Sequence, residues 1–201
     1  MAKPKSKDIS ADEFLLWCLD QDERYELVDG VVVPLRAMAG ASTAHDRIVS
    51  NISGALYAQL KGSGCWATTP QTALRTAITR IRRPDVTIEC APPEPRSYEV
   101  RNPVAIFEVL SPSTQRSDKL IKLPEYLRHP GLRSIVLVEP EFMEVVVYQR
   151  DDKGEWQGRS CKSPEPTIAL DGTAATISLA DIYGAVPVSV RDHGGPSEQA
   201  S

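Results

Sequence analysis

Apolar residues recur along this chain with two periods, and the switches between them mark out its elements. Ser10-Ala-Asp-Glu13 forms a capping-box pattern ahead of Phe14-Leu-Leu-Trp17, which predicts a first helix running to about Leu19 with one apolar face. From Arg24 to Pro34, two β-rich runs flank Asp29-Gly30, a dipeptide suited to the positive φ angles of a tight hairpin. Ile48, Ile52, Leu56 and Leu60 return every four residues and predict a longer helix, capped by Ser42 or Thr43 and ending at Gly62. Trp66 to Thr79 alternates loosely and reads as a strand; after a turn, Asp85 to Cys90 reads as another. Ala91 to Asn102 carries three prolines and is expected to be an exposed connection.

Pro103 to Leu110 is almost wholly apolar, as a strand covered on both faces should be. With the helical stretch Ser113 to His129 and the strand Ser134 to Val138, it predicts a right-handed βαβ crossover. Glu144 to Arg150 and Trp156 to Cys161 continue as antiparallel strands around the turn Asp151-Asp-Lys-Gly154, and Ser178-Leu-Ala-Asp181 caps a short final helix through Tyr183. The order predicts one α/β domain over residues 10–186: a mixed central β-sheet flanked by helices, with an N-terminal β-hairpin and C-terminal antiparallel strands. Residues 1–9 are expected to be a flexible N-terminus and 187–201 a disordered tail.

Composition adds exclusions. At 201 residues, 41% hydrophobic and 25% charged, the chain suits one globular core. No apolar run approaches bilayer-spanning length, and Met-Ala-Lys-Pro-Lys-Ser-Lys lacks the apolar core of a signal peptide; a cytoplasmic location without membrane association is expected. Cys18, Cys65, Cys90 and Cys161 form no Cys-x-x-Cys pair and are expected to be reduced and structural. The absence of a Gly-rich phosphate loop and of a Gly-x-Ser-x-Gly elbow argues against nucleotide cofactors and serine-hydrolase chemistry. A net charge of −4 argues against a constitutive electrostatic grip on nucleic acid. Arg75, Arg80, Arg82 and Arg83 are the candidates for a local nucleic-acid-binding strip, a solvated strand edge being no less ordinary a reading, and a homodimer would double such a surface.

Candidate chemistry concentrates between Arg82 and Lys122. Asp85 and Glu108 stand on otherwise apolar β-rich segments, where an unpartnered carboxylate costs several kcal/mol. From Glu108 to Ser111 the chain advances about 10 Å as a strand, and from Arg116 to Lys122 a returning helix covers about 9 Å, so Lys122 should come back level with Glu108. Two carboxylates and a Lys at one point can hold a divalent cation and orient a water, the equipment of metal-assisted phosphodiester hydrolysis. Taken singly, a turn carboxylate at Asp85 and an Arg-paired Glu108 are equally ordinary. Lys119 competes with Lys122: with Leu120, Leu123 and Leu127 facing the sheet, a helical wheel sets Lys119 nearer that face. Pro124 should kink or restart the helix. His45 falls in the first turn of the second helix, where the helix dipole favours a neutral imidazole.

In that order, Pro84-Asp85, Glu108-Val109 and Lys122 resemble the PD-(D/E)xK nuclease signature, in the variant whose Lys has moved to the following helix. Tyr25-Glu26-Leu27-Val28-Asp29-Gly30, Ala44-His45-Asp46, Arg83-Pro84-Asp85-Val86, Glu108-Val109-Leu110-Ser111-Pro112-Ser113 and Asp118 through Lys122 to Tyr126 resemble, as a set spanning Phe14 to Tyr183, the uncharacterised putative restriction endonuclease family of that superfamily. The resemblance implies a restriction-endonuclease-like core and hydrolysis of a phosphodiester, DNA first. It implies Mg²⁺ or Mn²⁺ held by Asp85, Glu108 and the main-chain carbonyl of Val109, with Lys122 positioning or helping to deprotonate the attacking water. It also sets Glu26 beside the metal and His45 as an accessory residue. The alternative is a non-catalytic nucleic-acid- or protein-binding regulatory module that has kept the fold; the acidic total charge and Pro124 favour it, and the complete Asp, Glu, Lys set opposes it.

Overall fold

The computed structural model describes residues 9–35, 42–92, 94–111 and 118–189. Helix α1 (Ala11–Cys18) starts on the expected capping box: the Glu13 N–H donates to Ser10 Oγ at 3.3 Å and the Ser10 N–H to Glu13 Oε2 at 2.8 Å. The hairpin β1 (Tyr25–Val28) and β2 (Val31–Pro34) turns at Asp29 and Gly30, with φ of 49° and 76°. Helix α2 (Thr43–Leu60), capped by Ser42, buries Ile48, Ile52, Leu56 and Leu60.

Trp66 to Thr79 is not one strand. Pro70 supplies no N–H for a ladder, and the Thr72 N–H closes a turn onto the Thr69 carbonyl at 3.1 Å. Strand β3 (Trp66–Thr68) therefore ends early, and β4 (Leu74–Ala77) folds back into β5 (Arg80–Arg82). These last two join the hairpin in a four-stranded antiparallel sheet ordered β2-β1-β5-β4, packed on α1 through Phe14, Leu15, Leu27, Val32 and Ile81.

The central sheet is mixed. With β6 (Val86–Glu89), β7 (Pro103–Val109), β8 (Ser134–Glu139), β9 (Glu144–Arg150) and β10 (Trp156–Cys161), its order is β10-β9-β8-β7-β6-β3, and only β7 and β8 run parallel. Strand β7 lies between two neighbours and is buried at all seven positions. One face, through Val86, Ile88, Phe107 and Val109, packs on α2; each such side chain stabilises the fold by about 1.5–3 kcal/mol. The other face packs Ile106, Ile135 and Leu137 with Leu74, Leu132 and Tyr126. The predicted helix 113–129 is here a π-helical turn (Asp118–Lys122) followed by α3 (Leu123–Arg128); its residues 113–117 lie outside the described ones. Pro124 falls in the first turn of α3, where a missing N–H is harmless, so the helix restarts there as expected. Strands β11 (Thr167–Ala169) and β12 (Thr176–Ser178), absent from the sequence reading, pair and lead into α4 (Leu179–Ile182).

Three further expectations change. Ile9, assigned to the flexible N-terminus, is buried and its N–H donates to the Gly30 carbonyl at 3.2 Å; residues 1–8 lie outside the described ones. At the other end Ser189 pairs with Phe142, its N–H reaching the Glu141 carbonyl at 3.1 Å, so the ordered chain passes the expected limit at 186; residues 190–201 are outside the description. Finally, Cys65 and Cys90 form a disulfide. They flank the cross-strand pair Trp66 and Glu89, which brings their Cα atoms to 4.0 Å, a juxtaposition that a sequence separation of 25 conceals. Cys18 and Cys161 remain free thiols.

Candidate functional site

The pairing of Val86 with Phe107 sets the register of β6 on β7, and one step further along the antiparallel pair Asp85 comes opposite Glu108. Both carboxylates are buried, at 8% and 4% exposure. Asp85 Oδ2 accepts the Val109 N–H at 2.8 Å, and His45 Nε2 stands 3.5 Å from the same oxygen. Asp85 Oδ1 meets no donor among the described residues.

Lys122 reaches Glu108 from the π-helical turn. Its Nζ is 3.3 Å from Glu108 Oε1 and 3.6 Å from Glu26 Oε1, whereas Lys119 is exposed. The wheel that favoured Lys119 stepped at 3.6 residues per turn; a π turn is wider, and here it sends Leu120 to 64% exposure and Lys122 inward. The residues that follow complete the grip. Tyr126, fully buried, donates its hydroxyl to Glu108 Oε1 at 2.7 Å; burial, then the Glu108 and Glu26 carboxylates, hold that hydroxyl's pKa well above the usual phenol value.

Glu26 lies beside these groups, as the resemblance implies, and a second layer holds it. Arg82 Nη1 donates to Glu26 Oε2 at 3.0 Å, and the Arg83 N–H donates to Oε1 at 3.2 Å. The Arg82 fork closes on Glu125, through Nε at 2.8 Å and Nη2 at 2.6 Å. Glu125 and Tyr126 were not singled out from the sequence; their spacing of three and four residues from Lys122, which puts the three on one helical face, was the available signal.

The proposed arginine strip does not form a continuous exposed surface. Arg82 is 2% exposed, and Arg83 is buried with its guanidinium on the carbonyls of Tyr25, Pro70 and Gln71. Arg75 is engaged by Glu99 and Asp12, and Arg80 by Asp29. Arg80 and Arg82 do share a face of β5, but that face turns inward to Glu125, so the pair is occupied by protein carboxylates.

His45 also departs from expectation. Burial, the largest influence, opposes its charge, but the Asp85 carboxylate, the Val109 carbonyl and Asp46 together outweigh it and raise the imidazole pKa above its ordinary value. Around the site the carboxylates of Glu108, Glu26 and Glu125 are met by Lys122, Arg82 and, at 4.0 Å from Glu125, Arg80, while Asp85 has His45 beside it. Among the described residues no three His, Cys, Asp or Glu side chains gather to hold a metal by themselves. A hard cation that keeps most of its water needs only one or two carboxylates, and Asp85, Glu108 and the Val109 carbonyl are oxygen donors of that kind.

Comparison with known proteins bears on this arrangement. The sequence model of the family described as Putative restriction endonuclease matches residues 11–181. An uncharacterized protein of Synechocystis sp. is 31% identical over 150 residues, 74% of this chain and 77% of that protein. A second from the same organism is 28% identical over 160 residues, 78% of this chain and 89% of the relative. The crystal structure of a putative nuclease belonging to DUF820 from Anabaena variabilis shares the fold, with a TM-score of 0.67 at 19% identity over 87% of this chain and 97% of that one.

Proposed function

Because the chain belongs to the putative restriction endonuclease family, we propose that it is a Mg²⁺-dependent endonuclease that hydrolyses phosphodiester bonds of DNA, with Asp85, Glu108 and Lys122 as its catalytic residues. The observation that supports this reading most is the buried meeting of Lys122 Nζ with Glu108 Oε1 at 3.3 Å, in register with Asp85. Asp85, Glu108 and the Val109 carbonyl would hold the cation, Mg²⁺ or Mn²⁺, which when bound supplies Lewis-acid polarisation of the phosphate and a more acidic water.

The chain's own residues do the positioning. The Val109 N–H fixes Asp85 Oδ2, which would leave Oδ1 to ligate a cation. Tyr126 orients Glu108 from below. Lys122, held between Glu108 and Glu26, presents an ammonium that orients the attacking water and stabilises negative charge developing on the phosphate, in a setting where little water competes. Arg82 and Glu125 act at one remove by fixing Glu26.

Titration calorimetry with Mn²⁺ and digestion of plasmid DNA in Mg²⁺ test the reading together. The wild-type protein should bind Mn²⁺ and cut the plasmid, with cutting stopped by a chelator, and Asp85→Asn should lose the binding while staying folded. A wild-type protein that neither binds Mn²⁺ nor cuts DNA overturns it.

A further inference from the structure

A second concavity lies at the opposite end of β6 from Asp85. Asp85 and Glu89 are four steps apart along the chain, about 13 Å at strand rise. There, a cavity of about 180 Å³ is lined by Trp66, Thr68, Thr72, Glu89, Pro92 and Arg101, among others. Trp66 and Thr68 stand across β6 from Glu89 and Thr87, and residues two apart on a strand share a face; Asp85, Thr87 and Glu89 therefore project from the same side of the sheet. The disulfide between Cys65 and Cys90, the immediate neighbours of Trp66 and Glu89, fixes the separation of these two walls.

The charge in this cavity is unusual. Glu94 is paired with Arg101 and Glu99 with Arg75, so the rim carboxylates are neutralised. Glu89 is 6% exposed and faces no cation among the described residues. Its Oε1 accepts the Arg101 N–H at 2.7 Å and the Asn102 N–H at 3.4 Å, while Oε2 meets no donor among the described residues. That oxygen keeps contact with solvent, so it can accept from a donor that enters the cavity and takes the place of water.

We infer that this cavity takes a nucleobase, guanine above the others, stacked on the Trp66 indole with its Watson–Crick edge toward Glu89. A carboxylate repels anions and ring acceptors and selects neighbouring donors. The guanine edge offers N1–H and the 2-amino group side by side, whereas adenine and cytosine set a ring acceptor beside their one amino group and thymine sets carbonyls on both sides of its N3–H. The indole supplies a stacking platform that any base could use, so the carboxylate carries the preference. The inference rests on the nuclease reading only for the source of the base, which would be a nucleotide of the DNA lying along the same sheet face as the scissile phosphate.

The test is a titration of ¹⁵N-labelled protein with guanosine, adenosine, cytidine and thymidine, following the Trp66 indole N–H resonance identified with Trp66→Phe. Guanosine should shift that resonance saturably, with the other three at least about fivefold weaker. Glu89→Gln, which keeps an acceptor for the two backbone amides but turns a donor toward the base, should lose the guanosine preference. No shift with any nucleoside, equal shifts with all four, or unchanged guanosine binding in a folded Glu89→Gln protein would each overturn the inference. If that variant does not fold, wild-type selectivity decides alone. The titration uses neither metal nor cleavage and reads the cavity whatever happens at Asp85. Plasmid cutting by a protein whose Trp66 signal does not move would sink the nucleobase site and leave the nuclease reading standing.

Discussion

At the end of β6 and β7 that carries Asp85 and Glu108, the two faces are buried almost equally and by opposite means. Toward α2, Val86, Ile88, Phe107 and Val109 meet Ile48, Ile52 and Leu56, none more than 2% exposed. On the other side of the same strands, Asp85 and Glu108 are withdrawn from water among charges and named donors. The first face asks only for volume and apolar surface, so its members are interchangeable within limits of shape. The second asks for particular groups at particular distances, and removing one leaves a definite partner unsatisfied. On the face away from α2 the charged groups sit at one end, beside an apolar cluster of Ile106, Ile135, Leu137 and Tyr126, and Arg82 holds them from the neighbouring sheet.

The comparison is sharpened most by Lys122→Ala. An ammonium is not a metal ligand, so Mn²⁺ affinity measured by calorimetry should persist while DNA cleavage falls by about 10²–10⁴-fold. Lys119→Ala, on the exposed side of the same turn, should leave both unchanged. Arg82→Met attempts to break the comparison, because it takes a counter-charge from Glu125 and Glu26 inside the charged face. A loss of about 3–5 kcal/mol in urea unfolding is expected; a loss near zero would mean that these carboxylates do not need it. Leu56→Ala probes the apolar face and should destabilise by about 2–5 kcal/mol, with Mn²⁺ affinity of the folded protein unaltered.

The smallest effect distinguishes two histidines. Burial holds the His129 pKa below its ordinary value, and its Nδ1 accepts the Gly131 N–H at 3.2 Å, which requires an unprotonated nitrogen. The unfolded chain takes up a proton near the ordinary value of about 6.5 and the folded one only at lower pH. Its contribution is therefore intact above pH ~6.5 and is lost as pH falls through the folded value. His129→Asn, which keeps an acceptor, should flatten the acid limb of a stability-versus-pH curve; an unchanged limb would show that His129 is not its source. His45, whose pKa Asp85 shifts upward, should not mimic it.

What the sequence disclosed follows from the range of each signal. Asp85 and Glu108 stood out because a carboxylate in an apolar strand is visible in a window of a few residues. The α2 face, the Asp29-Gly30 turn and both capping boxes are equally local, and all three were legible. Lys122 was reached through the pitch of a returning helix and through the family resemblance, whereas the wheel favoured Lys119 because nothing in Asp118–Lys122 announces a π turn. Strands β5, β11 and β12, three residues each, are too short to carry an alternation. Arg82 looked like surface because the carboxylates that bury it are 56 and 43 residues away.

The bridge between Cys65 and Cys90 has a topological consequence. It closes a covalent ring, spanning a separation of 25 residues, that contains β4, β5, Arg82 and Asp85. A protease that nicks this ring once, at the Ile78-Thr79 turn for example, produces no free fragment: on a non-reducing gel the chain migrates as one species, and it falls into two only when thiol is added. Ring closure of that size also narrows the unfolded ensemble, worth about 3.5 kcal/mol in the chain-entropy account. A reductant would thus act on the nicked and the intact protein in different ways, releasing a piece from one and loosening the unfolded chain of the other.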